Sequence, residues 1–172
     1  IGFGNMGKSF AKRLRGMEVR QLVYDPYIQV DSATFPFVEQ CDMKRIFTEA
    51  DVVSLHVPLS AETTYMVNDD WINAFEKSFI LINTARGKNV DTAAVCEGLK
   101  KGKISGAALD VLEYESISFE HIESSALPAP FHYLIYAENV VLSPHIGGWT
   151  HESNEKIACI LAKKILKAIG KV

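Results

Sequence analysis

Ile1-Gly2-Phe3-Gly4-Asn5-Met6-Gly7 opens the chain, and Tyr24-Asp25-Pro26 follows it, with Asp25 eighteen residues beyond Gly7. The glycine spacing G-x-G-x-x-G, a helical pattern straight after it and an acid at this distance describe the first turn of a dinucleotide-binding βαβ unit. Glycines at Gly2, Gly4 and Gly7 let the backbone approach a pyrophosphate that a Cβ would obstruct. A helix starting at Asn5 points its unpaired N–H groups at the same phosphates. Asp25 suits the ribose hydroxyls of NAD and repels the additional phosphate of NADP. Only Ile1 precedes the first glycine, whereas the first strand of such a unit usually runs about five or six residues in mid-sheet. The expectation is therefore a first strand truncated at the N-terminus and a chain that is a piece of a longer polypeptide.

Outward from the turn, short apolar runs alternate with helical patterns, the signature of an α/β fold with a doubly wound parallel sheet of the Rossmann kind. The expected strands are Gln21–Tyr24, a short Phe35–Val38, Asp51–Val57, Phe79–Asn83, Ile104–Val111 and Val140–Ser143. Helices are expected over Asn5–Met17, with Phe10, Leu14 and Met17 facing inward, and over Met43–Ala50, Asp69–Phe75 and Asp91–Lys101. A last helix at about 150–169 carries Ile157, Leu161, Ile165 and Ile169 as one apolar stripe. The stretch Ser116–Ala137 shows no regular pattern and reads as a long excursion at the sheet edge.

Composition narrows the classes. Of 172 residues, 48% are hydrophobic and 23% charged, and the net charge of −3 favours neither nucleic acid nor an anionic membrane as partner. No apolar run approaches the eighteen or so residues of a membrane span. Cys41, Cys96 and Cys159 are odd in number and scattered, which suits a reducing compartment, the cytoplasm, better than disulfides or a metal cluster.

Arg86, Glu115 and His145 each follow an expected strand, on what should be the carboxyl edge of the sheet, where doubly wound folds bind ligands. A guanidinium grips a carboxylate with two prongs. An imidazole can protonate a carbonyl oxygen as hydride arrives, and a nearby carboxylate favours and orients its charged form. The set fits reduction of a 2-oxo acid, although each residue alone can be read as an ordinary turn.

These residues also carry a resemblance. Ile1–Gly7, Tyr24–Pro26, Asp51–Leu59 with Thr63-Thr64, Asn83–Gly87, Gly106–Val111 and Ser143–Gly147 together resemble the NAD-binding domain of the D-isomer-specific 2-hydroxyacid dehydrogenases, the family that includes phosphoglycerate dehydrogenase. The resemblance implies that Arg86 binds the substrate carboxylate, that His145 is the general acid/base and that Glu115 pairs with it. It places Asn5 and Met6 at the pyrophosphate, Val57 and Pro58 at the adenosine side of the cleft and Thr84, Ala85, Arg86, Asp110, His145, Gly147 and Gly148 near the nicotinamide, with Asp110 taking its carboxamide. It implies NAD as cofactor, no metal, a homodimer formed through the cofactor domain, and a second, substrate-binding domain largely absent here, toward which the last helix leads. If the polypeptide begins at Ile1, it should bind cofactor poorly and turn over little or nothing. The chain departs from the family at Ser116, where proline is usual, in the thirty-residue step from Glu115 to His145, and in the bulky Trp149. A non-catalytic NAD(H)-sensing or corepressor-like protein is the alternative. It would keep Gly4 and Asp25 but need not keep Arg86, Glu115 and His145. A 6-phosphogluconate-like dehydrogenase fits the Asn83–Gly87 and Ser143–Gly147 stretches poorly.

Overall fold

The computed structural model describes residues 1–115 and 128–170. After the glycine turn, α1 (Asn5–Leu14) begins at Gly4 with no side-chain cap. The parallel pair β1 (Gln21–Val23) and β2 (Val38–Gln40) follows. α2 (Met43–Glu49) is capped by Asp42, which accepts from the Arg45 N–H, and leads to β3 (Val52–Leu55). α3 (Asp69–Asn73) is capped by Asn68 and precedes β4 (Phe79–Asn83). Past a 3-10 turn at Gly87–Asn89, α4 (Thr92–Lys100) is capped by Asp91 and runs to β5 (Ile104–Leu109). α5 (Ala129–Tyr136), β6 (Val140–Leu142) and α6 (His151–Ala168), capped by Thr150, complete the described chain. Side-chain oxygens thus satisfy helix N–H groups at four of these caps, as the residue types predict.

β3, β4, β5 and β6 form one parallel sheet in that order, and β1 and β2 a second. The Ile1–Phe3 segment lies between them. The Ile1 amino group donates to the Ser54 carbonyl at 2.8 Å, the His56 N–H to the Ile1 carbonyl at 2.8 Å, and the Gly2 N–H to the Tyr24 carbonyl at 2.9 Å. This segment thus lies between the two sheets and joins them. Beyond it they part around a cleft of about 610 Å³ lined by Leu22, Val23, Val52 and Val53 among others. On the outer side Arg20 and Arg45 each pair with Glu39 and Glu49, tying β1 and β2 to α2.

The larger core packs β3–β5 against α2, α3 and α4 through Val53, Leu55, Phe75, Phe79, Leu81 and Val95. Phe75 stacks on Phe79 at 3.8 Å and Trp71 meets both edge-on. Each such ring contributes about 1.5–3 kcal/mol by leaving water. A smaller core gathers Phe3, Ala11, Val23, Phe35 and Val38.

Several sequence expectations are corrected. The strand expected at Phe35–Val38 begins at Val38, because Pro36 has no N–H to give to a ladder and Phe35 is instead buried in a turn. α1 stops at Leu14, so Met17 lies beyond it and is 64% exposed, and Phe10 also sits at the surface. β3, β5 and β6 are shorter than the apolar runs that carry them. The supposedly irregular stretch before Ala137 contains α5. Its sequence is so uniformly apolar that no helical period shows, and Pro128 and Pro130 mark its start rather than a loop. Residues 116–127, including Ser116 and His121, lie outside the described residues.

Candidate active site

The three glycines do different work. A Cβ on Gly2, at φ +87°, would meet the His56 carbonyl oxygen at 2.6 Å, and one on Gly7 would meet the Gly2 carbonyl oxygen at 2.2 Å. Both are needed by the chain's own packing. A Cβ on Gly4 would meet nothing within 4 Å. Gly4 faces open space at the uncapped start of α1, beside the exposed Asn5 and Met6. That arrangement fits a pyrophosphate held by free N–H groups.

Asp25, at the end of β1, is fixed by three backbone donors. Phe3 N–H gives to Oδ2 at 2.7 Å, and the N–H groups of Tyr27 and Ile28 give to Oδ1 at 2.9 and 3.0 Å. Burial pushes its carboxyl up, but these donors outweigh it and hold the pKa below the ordinary value. The carboxylate stays charged beside the glycine turn. Val57 lies against Gly2, and Pro58 is exposed next to it.

At the end of β4, Asn83 is fully buried. It accepts from the Ala85 N–H at 3.0 Å and donates to the Arg86 carbonyl at 3.0 Å. The equally buried Asn89 accepts from the Arg86 N–H at 3.1 Å. Two amides thus shape the loop that presents Thr84 and Arg86 outward, while Ala85 faces the core. The Arg86 guanidinium donates to the Ala85 carbonyl at 2.6 Å. The role of Asn89 went unread in the sequence, since an Asn two residues beyond a glycine looks like turn chemistry.

β5 and β6 bring the acid and the histidine together. His145 Nδ1 lies 2.9 Å from Glu115 Oε2, and Glu115 Oε1 accepts from the Leu112 N–H at 2.7 Å. The pair spans the excursion that separates the two residues in sequence. His145 adopts φ +54°, a left-handed conformation rare for residues other than glycine. Asp110 holds it there. Buried at the end of β5, it accepts from the Ser143 hydroxyl at 2.6 Å, the Ile146 N–H at 2.9 Å and the Gly147 N–H at 2.9 Å. Burial raises the Asp110 carboxyl, yet Ser143, Gly147, Ile146 and the charge on His145 together keep its pKa below the ordinary value. Gly147 is needed because a Cβ there would come within 2.9 Å of Asp110 Oδ2, whereas Gly148 borders open space. Arg86, Asp110 and His145 therefore follow three adjacent strands, β4, β5 and β6, at one edge of the sheet.

His56 stands apart from this group, as a structural residue. Its Nε2 lies 3.1 Å from Ser54 Oγ and its ring packs on Phe10 at 4.9 Å. Burial, with a smaller push from the positive Ile1 terminus, lowers its pKa from 6.5 to about 4. The unfolded chain therefore binds more protons than the folded one between those values, and stability rises with pH across that window. Urea midpoints should fall as pH drops from about 6.5 toward 4, and His56→Asn should flatten that slope. An unchanged slope in the variant refutes the assignment.

The open glycine turn, the amide-held carboxylate after β1 and the Glu115–His145 pair beyond the parallel strands are features of a Rossmann-type dinucleotide-binding domain. Residues 1–147 match the family model described as D-isomer specific 2-hydroxyacid dehydrogenase, NAD binding domain. The chain belongs to that family. It is 38% identical over 170 residues to a glyoxylate reductase of Thermofilum pendens, covering 98% of this chain and 47% of that protein. To a hydroxypyruvate reductase of Thermotoga maritima it is 36% identical over 170 residues, covering 99% and 52%. Among solved structures, the NAD-complexed D-isomer specific 2-hydroxyacid dehydrogenase of Lactobacillus delbrueckii ssp. bulgaricus superposes with a TM-score of 0.87 at 34% identity, covering 99% of this chain and 52% of that one. The D-lactate dehydrogenase of Lactobacillus jensenii with NAD+ gives 0.87 at 33%, with the same coverage. The chain spans about half the length of the curated relatives it matches.

Proposed function

We propose that this chain is the cofactor domain of an NAD-dependent D-2-hydroxyacid dehydrogenase, interconverting a 2-oxo acid and its D-2-hydroxy acid. The observation that carries the reading is the Glu115–His145 pair, set in a strained loop that Asp110 clamps at the sheet edge. NADH supplies the hydride that reaches the 2-carbon. Gly4 and the start of α1 receive its pyrophosphate, and Asp25 its adenosine ribose. Val57 and Pro58 border the adenosine, and Thr84 and Gly148 the nicotinamide end. Arg86 binds the substrate carboxylate. Glu115 holds Nδ1 of His145 and stabilises the imidazolium, which gives the proton from Nε2 to the carbonyl oxygen. In the reverse direction the neutral ring takes that proton back. The amide pull of Ile146 and Gly147 on Asp110 leaves this carboxylate less capacity for a nicotinamide carboxamide than the family resemblance suggests.

A second, substrate-binding domain completes the pocket in this reading. Its support is α6 with its C-cap Ile169, where Ile157, Leu161, Ile165 and Ile169 are each more than half exposed. Exposed Ile135, Tyr136 and Val141 near β6 suit a homodimer through the cofactor domain. Three free cysteines suit the cytoplasm.

NADH oxidation by the native polypeptide with glyoxylate, hydroxypyruvate, phosphohydroxypyruvate and pyruvate tests the reading. His145→Ala is expected to lower kcat by about 10²–10⁴ while NADH binding stays intact. Tight NADH binding with no turnover on any acid would instead mark an NAD-sensing protein.

A further inference from the structure

Two loops flank the region that the proposed function assigns to the adenosine: the one after β1, which carries Asp25, and the turn 58–64 after β3. The second is held internally. Thr63 Oγ1 donates to the Pro58 carbonyl at 2.6 Å, Thr64 Oγ1 donates to the Ser60 carbonyl at 2.6 Å, and the buried Asn89 donates to the Thr63 carbonyl at 3.0 Å. Glu62 stands in this turn, and the Tyr27 hydroxyl donates to its Oε2. The Tyr27 N–H gives to Asp25 at 2.9 Å, so one tyrosine joins the two carboxylates, backbone to one and phenol to the other. Glu62 and Asp25 both act electrostatically on the Tyr27 phenol and push its pKa up, with the hydrogen bond to Glu62 the largest cause.

Asp25 is already committed to three backbone amides of this chain. Its exchange disturbs the loop as well as the ribose contact, so cofactor preference is difficult to alter at Asp25 alone. Glu62 makes its contact with Tyr27 at the exposed rim, where its charge can change at little structural cost.

Resting on the cofactor assignment above, we infer that Glu62, anchored by Tyr27, is a second specificity-determining carboxylate that disfavours the ribose 2′-phosphate of NADP. A single negative charge about 10 Å from a phosphate dianion, well inside the Debye length of about 30 Å at ~10 mM salt and at an effective dielectric of about 50, weakens binding about five-fold.

The experiment measures Kd for NADH and NADPH on the native polypeptide and on its Glu62→Gln, Tyr27→Phe and charge-matched control Glu138→Gln variants, by nucleotide fluorescence at ~10 mM salt. Glu62→Gln is expected to tighten NADPH about five-fold, to leave NADH within about two-fold, and to lose the gain at ~0.5 M salt. Tyr27→Phe frees Glu62 from the rim and should move NADPH in the same direction by less. The assignment fails if Glu62→Gln binds NADH normally and leaves NADPH unchanged, or if Glu138→Gln gives the same gain. No NADH binding by the native polypeptide overturns the cofactor reading itself, and this assignment with it.

Discussion

Gly4→Ala is expected to melt with the unmodified chain yet bind NADH at least about ten-fold more weakly, whereas Gly7→Ala should lose about 3 kcal/mol or more of stability. The contrast follows from what each added methyl would meet. At Gly4 it meets no protein atom, so any loss must come from the ligand side. At Gly7 it sits 2.2 Å from the Gly2 carbonyl oxygen, a backbone atom that cannot swing aside. The turn or α1 would have to move, and Gly2 is itself pinned to Tyr24. Thermal melts and NADH titrations of the two variants separate the effects. A Gly4→Ala chain that binds NADH as tightly as the parent would remove the glycine turn from the cofactor site.

The second large effect is at Asp110. Asp110→Ala removes a buried acceptor from the Ser143 hydroxyl and from two backbone amides, which is expected to cost about 3–5 kcal/mol. Those donors hold the loop in which His145 keeps its left-handed φ, so the Glu115–His145 distance should lose definition as well. Asp110→Asn keeps the shape and one acceptor, and should lose less. Urea unfolding reads the difference. If Asp110→Ala unfolds at the parent's midpoint, the clamp is not what holds this loop.

The fold was legible wherever a run was apolar, bounded and of strand length. Phe79–Asn83 and the runs around β3 and β5 were read correctly in kind, with ends trimmed by one or two residues because pairing partners, not hydropathy, decide where a ladder stops. β2 was misplaced because the paired aromatics of Phe35 and Phe37 look like strand residues, while their burial comes from a turn packed on Phe3. α5 was hidden by having almost no polar face. Of the site, the Glu115–His145 pairing was readable from strand-end positions and the family resemblance. The engagement of Asp110 by the loop after β6 was not, since its donors stand thirty-three to thirty-seven residues away and two of them are backbone amides. Asn89 and Glu62 were missed for the same reason. Their meaning lies in which loop they touch, and no local pattern encodes that.

The Ile1–Phe3 segment serves two purposes. It stitches β1 to β3, and it leads directly into the turn that faces the phosphates. A dinucleotide in the proposed site, reaching from Asp25 on one half of the sheet to the loops after β4 and β6 on the other, would act as a brace across that seam. By mass action its binding free energy would then add to the resistance of the two halves to separating. Cofactor concentration would thereby set the mechanical cohesion of the domain as well as its occupancy.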